Sequence, residues 1–474
     1  MGSVHPGLAT RSALAPQPQP PGLLEKSGYV ALAFFVFIVF SSVVELIPGI
    51  AVVHPALLVA VVGLMVVGIT GRGAALLKNK VGVCYTGLSL WFCIGLPFCL
   101  WPGGAFGVLT SEWLVAFLSF FMAGGLVWDT DRCGKIFRLI GYSGLILSLV
   151  ALGQDLRDPL GRLTGSGRYA NSNDLATVML ITLPFLGFVA FRNGNNLGRL
   201  VAAFGFVSIP MAVAGTESRG AEIGAAAAIL TLFFNVGMAQ KMKLMVGVAV
   251  TLLLAIALLP GQTVMRLTTF FGDDANFAQM DENTLSSIAS ANSRKMLFLD
   301  SITVTLDHPL LGVGQGNFMV AQNDLALARG EEKGDWHVTH NTYTQISSES
   351  GFPGLLMFLA AIIFSLRGLS RTVKVPFPPG SDAGQAIRAM VVTLRVSFAA
   401  FLACAIFASL AYLPILPILS GLAVSLEYCA TKLSAELQAN RPPPARSVQP
   451  VRSWQGTRPR QKFPLAPTAV QGMK

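Results

Sequence analysis

The chain has 474 residues, of which 53% are hydrophobic and only 12% charged, with a mean hydropathy of +0.61. Soluble domains carry about 25% charged residues, so a water-soluble globule is excluded and an all-α, polytopic membrane protein is expected. The net charge of +10 sits mainly in short loops and the C-terminal tail, which points to membrane lipid headgroups and away from nucleic acid.

Residues 1–27 are Pro-rich and polar, with no basic n-region and apolar h-region at Met1. A cytoplasmic tail ahead of a retained first span is expected, not a cleaved signal peptide. Apolar runs long enough to span a bilayer lie at 28–47, 51–69, 81–100, 112–128, 136–152, 174–191, 200–215, 221–236, 242–259, 351–367, 389–410 and 413–430. About twelve transmembrane helices are therefore expected over a 28–430 membrane domain. The last division is set by Pro414 and Pro417.

Lysine and arginine sort these loops. With the N-terminus inside, loops 70–80, 129–138, 192–199, 237–243 and 367–388 hold fourteen, whereas the short outside loops hold four. That asymmetry is the positive-inside pattern. It places the long 260–350 stretch, between the ninth and tenth spans, on the outer face. The 431–474 segment, rich in Pro, Arg and Gln, reads as a disordered basic cytoplasmic tail. Cys84, Cys93, Cys99, Cys133, Cys404 and Cys429 fall in spans or inner loops, so no disulfide framework is implied.

The four outward cations are Arg157, Arg162, Arg168 and Arg219. Arg157 and Arg162 are expected to meet a lipid phosphate or the nearby Asp155 and Asp158. Arg168 in SGRYANSNDLA, with Asn171 and Asn173, and Arg219 in TESRGAE have local sequences that favour a functional role. Charges inside spans are few (Glu45, Glu222, Arg395), unlike a proton-coupled transporter with ionisable groups at mid-membrane.

Within the outer loop, 285–306 has helical periodicity, with Leu285, Ile288, Met296, Leu299, Ile302 and Leu306 toward one side. Arg294 and Lys295 lie at the polar boundary of an expected surface-lying amphipathic helix. Asp307-His308-Pro309 ends it. The following LLGVGQGNF has a GxGxG spacing without a βαβ unit, so a nucleotide site is not expected. Gly312, Gly314 and Gly316 instead allow a tight backbone path against the membrane.

The loop then returns through WHVTHNTYTQISSESGFPG, 336–354. Arginine forks match phosphate oxygens, and a histidine near its ordinary pKa of about 6.5 can take a proton from a hydroxyl. Arg219, Arg294 and the His337/His340 pair together suit group transfer from a lipid-linked pyrophosphate to an acceptor hydroxyl, with His340 as base. The bland alternative is that His340 and Asn341 cap the next helix. Zinc is disfavoured because no third ligand has diagnostic spacing and HExxH is absent. Ser347, Ser348 and Ser350 lack a nucleophile elbow. A transporter or flippase of the same lipid-linked oligosaccharide, or a scaffold in a polysaccharide-export complex, are the alternatives from other classes.

SRGAEIG, DHPLLGVGQGNF and HNTYTQISSESGFPGLLMFL, in that order over about residues 160–370, resemble the O-antigen ligase and O-antigen polymerase superfamily, which includes exopolysaccharide polymerases. The resemblance implies a metal-independent, inverting glycosyltransferase in the bacterial inner membrane, without cofactors and with its site facing the periplasm. The donor would be an undecaprenyl-pyrophosphate-linked glycan and the acceptor a glycan or lipid core. The same resemblance carries catalytic weight onto Arg219, Arg294 and His340, and substrate-binding weight onto Arg168, Asn173, His337, Asn341 and Glu349. The long basic tail and the modest outer loop depart from the family pattern.

Overall fold

A computed structural model of the chain describes residues 22–47, 49–50, 55–192, 196–258, 282–334 and 336–439. The expected N-terminal tail up to residue 21, the outer-loop stretch before 282 and the tail from 440 lie outside the described residues. Among the described residues the chain is helical, and the one β-type pairing is an isolated bridge between Arg157 and Leu163.

α1 (Leu23–Ser41), α2 (Pro55–Ile69), α3 (Arg72–Lys78) and α4 (Lys80–Gly95) come first. α5 (Pro102–Val108) passes through a π-helical turn at Leu109–Trp113 into α6 (Leu114–Leu126). α7 (Thr130–Gln154), α8 (Ser172–Arg192), α9 (Asn196–Gly215), α10 (Arg219–Asn235) and α11 (Met238–Leu258) follow. The outer loop contributes α12 (Glu282–Asp307) and α13 (Phe318–Ala328). α14 (Thr342–Val373), α15 (Asp382–Cys404) and α16 (Ile415–Ala439) complete the bundle.

Eight helical stretches among the described residues are long and apolar enough to cross a membrane, and the α2–α3 pair, bent by 88°, is a ninth if counted as one span. The other three expected spans are helical but stand outside that group. α10 has 17 residues, about 25 Å against a hydrocarbon core of about 30 Å. α11, with 21 residues, and α16, with 25, are long enough to cross. Length and composition thus bear out eight or nine of the expected spans, and the full count of twelve stays an expectation.

Two boundaries differ from those read in the sequence. α1 begins at Leu23, inside the expected tail, where Glu25 pairs with Arg72 at 2.6 Å. α16 continues past 430 to Ala439, and Ser434 donates to the Pro376 carbonyl at 2.5 Å.

The core runs the length of the bundle. α6 packs on α16, α10 and α8 on α15, α7 on α8, and α4 on α14. A Cβ at Gly421 would lie 2.7 Å from the Phe120 carbonyl oxygen, so this glycine lets α16 approach α6 at backbone distance, as small residues do between membrane helices. The outward faces stay apolar, with Val30, Leu58, Met65, Leu90, Ile94, Phe204 and Leu230 all exposed. These are the side chains a bilayer covers.

The loops gather at two opposite ends of the bundle. At one end Glu25 meets Arg72, Arg72 and Arg132 both stack on Trp128 (4.0 and 3.6 Å to the ring centroid), and Arg192 meets Asp382. At the other, the Leu163 amide donates to Gly215, Leu100 to Val313 and Thr342 to Ala405. The first group contains the loops rich in lysine and arginine. Their assignment to the cytoplasm rests on that charge count alone.

α14 is broken where it enters the bundle. Gly351 has φ +69 and ψ −177 inside it, and Pro353 follows. Pro353 has no N–H, so the Glu349 carbonyl loses the partner that helical geometry would supply. The glycine-rich loop fills the gap: Gly314 N–H donates to Glu349 O at 3.0 Å, Val313 N–H donates to Ser348 O at 2.9 Å, and Phe352 N–H donates to Pro309 O at 2.8 Å. Gly312, Gly314 and Gly316 all have positive φ, as expected of a tight path. The path lies against the broken helix, however, and not against the membrane.

This docking gives a contrast between two glycines of similar φ. Gly330 has φ +83 and open space around it, whereas a Cβ on Gly351 would sit 2.1 Å from the Leu310 carbonyl oxygen. Gly330→Ala should cost about 1 kcal/mol, the backbone penalty alone. Gly351→Ala should cost roughly 3 kcal/mol or more, because the docked loop must also move. Thermal unfolding of the two purified variants in detergent checks this, and equal shifts would contradict the docking.

Candidate active site

The site is assembled from four separate segments at one end of the bundle. Ser218 caps α10: its Oγ accepts from the Ala221 amide at 3.3 Å and donates to the Asn173 Oδ1 at 2.7 Å. Arg219 is the first residue of that helix, and its side chain is exposed. Asn173 is itself buried near the start of α8. The ANSN and ESRG segments, 170–173 and 217–220, are therefore tied together by one hydroxyl.

α12 covers 282–307, slightly more than the helix read from 285–306. Its facing is the reverse of what a core helix would show. Leu297 and Val304 are buried, in a small cluster with Val313, Phe318 and Ala321, while Met296, Leu299, Ile302 and Leu306 are exposed. The stripe singled out by periodicity is thus the one left for lipid. Buried Asp300 binds Arg329 at 2.5 Å, and the Thr305 hydroxyl meets the Ser347 hydroxyl of α14 at 2.9 Å. These contacts hold half-buried Arg294 over the approach to α14.

His340 is pinned between two buried neighbours. The Thr339 hydroxyl donates to the Asn341 carbonyl at 2.9 Å and meets Ser409. Asn341 caps α14, its Oδ1 accepting from the Tyr343 and Thr344 amides at 2.9 and 3.1 Å. His340 between them has φ +51, a left-handed conformation that costs an L-residue about 1–2 kcal/mol. Capping is thus performed by Asn341, while His340 is held out of helical geometry. The His337 and His340 ring centroids lie 6.4 Å apart.

The electrostatics show which groups share this space. Burial first, then the charges of Arg294, His337 and Arg162, lower the His340 pKa to about 4. Burial, then Arg162 and Arg219, likewise lowers that of Arg294. Arg162, Arg219, Arg294, His337 and His340 are therefore one electrostatic cluster. Arg162 is the member that sequence reasoning does not single out. It does bind Asp158 (2.6 Å), the neighbour expected for it, as Arg157 binds Asp155. Asp158 also accepts from the Leu160 and Arg162 amides, which closes the turn that carries Arg162, whose charge bears on His340.

Two expected contacts are placed elsewhere. Arg168 is exposed, its amide donates to Glu45 Oε2 at 2.7 Å, and its charge bears on Glu112. Glu349 is buried, and its Oε2 accepts from the Gly316 amide at 2.9 Å and from the Tyr412 hydroxyl. That carboxylate braces the glycine loop from beneath. Among the described residues no group of three or more His, Cys, Asp or Glu converges as a metal site would.

Residues 203–359 match the family model described as O-antigen ligase. The match covers less than half of the chain, and it includes Arg219, Arg294, His337, His340, Asn341 and Glu349 but not Arg162, Arg168 or Asn173. No curated protein matches the chain. The superfamily resemblance read from the three motifs is supported by this match.

Ser218 supplies a test of the assembly. Ser218→Ala removes a helix cap, worth about 1 kcal/mol, and leaves the buried Asn173 oxygen short of a donor, worth about 1–3 kcal/mol. Hydrogen exchange should show faster opening at 219–222, with Ser218→Thr largely restoring protection. Unchanged exchange in the alanine variant would contradict the coupling.

Proposed function

We propose that this chain, a multi-pass membrane protein of the O-antigen ligase and polymerase superfamily, is a glycosyltransferase. In this reading it moves a glycan from an undecaprenyl-diphosphate carrier to an acceptor hydroxyl at the outer face of the bacterial inner membrane. The observation that carries the reading is the gathering of Arg294 and Arg162 about His340, with Arg219 acting on Arg294. Grouped guanidinium ions match phosphate oxygens, and a diphosphate is the polyanion that a membrane-embedded sugar donor provides.

In the transfer step the acceptor oxygen attacks the anomeric carbon as its proton passes to His340. The bond from that carbon to the diphosphate oxygen breaks, and the electron pair leaves with the carrier diphosphate. Attack opposite the leaving group inverts the anomeric centre. Arg219 and Arg294 hold the charge that develops on the leaving oxygen, which supplies catalysis without a metal. Arg162, fixed by Asp158, adds charge from the other side. His337, exposed beside His340, is assigned to substrate contact. Asn173, Asn341 and Glu349 act by positioning, through their bonds to Ser218, to the start of α14 and to the glycine loop.

Each arginine stabilises leaving-group charge, so Arg219→Ala and Arg294→Ala should lower turnover by about a hundredfold or more. His340→Ala should abolish output while the protein remains inserted, and Arg162→Ala should also lower turnover. Reconstituted transfer assays on the inserted variants check these values. Wild-type turnover in His340→Ala would remove the base assignment. Surface glycans of a deletion strain then separate the two acceptors: single repeats on the lipid core mark a polymerase, long chains stranded on the carrier a ligase.

The low His340 pKa of about 4 adds a pH test. The imidazole must be neutral to accept a proton, so activity falls as pH drops through its pKa. Bound diphosphate offsets the arginine charges that help to lower it and moves the pKa back up. The acid limb of kcat, which reports the complex, should therefore lie at higher pH than that of kcat/KM, which reports the free enzyme. Coincident or reversed limbs would contradict this.

A further inference from the structure

At the end of the bundle opposite His340, a cavity of about 370 Å³ opens between the α3–α4 junction, α14 and α16. Its polar wall is made by Lys78, Lys80, Arg371 and Glu427, and its floor by small side chains such as Ser365 and Ala423. Glu427 is already engaged, because Arg371 donates to both its oxygens at 2.5 and 2.9 Å. Among the described residues Lys78 and Lys80 have no carboxylate partner. Lys80 Nζ instead stands 5.5 Å from the Phe364 ring centroid, and the Arg367 guanidinium stands 5.9 Å from the same ring. The surplus charge is therefore cationic. Asn79 closes the start of α4 by accepting from the Val81 amide, which leaves the lysine ammonium groups as the anion-attracting atoms.

The surroundings of this cavity identify the anion. Leu77, Ile363 and Tyr428 each adjoin a lining residue in the chain, and with Val83 they are exposed, 46–57% of each being accessible. A free phosphate would leave these apolar surfaces bare. An amphiphile covers them with its acyl chains while its headgroup meets the lysines. The charge count also assigns this end to the cytoplasmic face, where anionic lipids attract basic residues at the ends of spans.

We propose that this cavity is a binding site for the phosphate headgroup of an anionic phospholipid, held by Lys78 and Lys80 and bounded by Phe364. The site is separate from the transfer centre and stands whether or not the proposed reaction is correct.

Native mass spectrometry of the full-length protein, titrated in detergent with phosphatidylglycerol, tests it. Phosphatidylcholine of the same acyl chains and inorganic phosphate serve as the other arms. Phosphatidylglycerol should bind at least about tenfold more tightly than phosphatidylcholine. Lys78→Ala/Lys80→Ala should abolish that preference, and Lys78→Arg/Lys80→Arg should keep it. Both lysines are exposed, so neither double variant removes core packing. Equal binding of the two lipids, or an alanine variant with wild-type preference, overturns the site. Displacement of phosphatidylglycerol by millimolar inorganic phosphate would overturn the lipid as occupant.

Discussion

The structure depends on a helix that is broken and then completed by another part of the chain. Pro353 removes one backbone donor and Gly351 departs from helical geometry, so the carbonyls of Ser348 and Glu349 become available. The loop 309–314 supplies the missing partners. A buried carbonyl without a donor costs about 1–3 kcal/mol, so the break stabilises the loop and the loop permits the break. The consequence reaches beyond the backbone. α12, which bears Arg294, ends at Asp307 just before this docked segment, and α14 begins just after His340. Docking therefore sets the position of the arginine relative to the histidine, with Glu349, Gly316 and Tyr412 locking it from below.

Around that frame the charges are arranged in an unrelaxed way. At the opposite end Arg72 has found Glu25 and Trp128, and Arg371 has found Glu427. At the site Arg162 keeps Asp158, yet its charge and that of Arg294 bear on His340, and Arg219 bears on Arg294. Like charges in a half-buried site repel at low effective dielectric. In the proposed reading an anion with several oxygens relieves this repulsion when it binds. The strained φ of His340 belongs to the same pattern, since non-glycine residues held in the left-handed region cluster at functional sites.

Much of this architecture is legible in the amino-acid sequence. Long apolar runs announce α7, α8 and α15 because lipid imposes one pattern on any helix that crosses it. Asp307-His308-Pro309 marks the end of α12, and the proline–glycine pair marks the break in α14. Other features depend on partners far away in the chain. Glu349 resembles a substrate ligand beside HNTYTQ, yet Tyr412 and Gly316 occupy it. Arg162 reads as a simple surface ion pair because Asp158 stands four residues away; the pair does form, but it orients the guanidinium toward His340 and does not retire it. Periodicity finds the apolar stripe of α12 without saying whether protein or lipid covers it.

The central claim is that this cluster makes and breaks glycosidic bonds at a carrier diphosphate, and does not merely hold a lipid-linked glycan for passage. The most direct measurement is a proteoliposome reaction with purified protein, carrier-linked glycan and hydroxyl acceptor in the presence of a chelator, with the product's anomeric configuration read by NMR. The account predicts a new glycosidic bond of inverted configuration and release of the carrier diphosphate. Leaflet exchange of intact donor with no new bond, or a product of retained configuration, would contradict it.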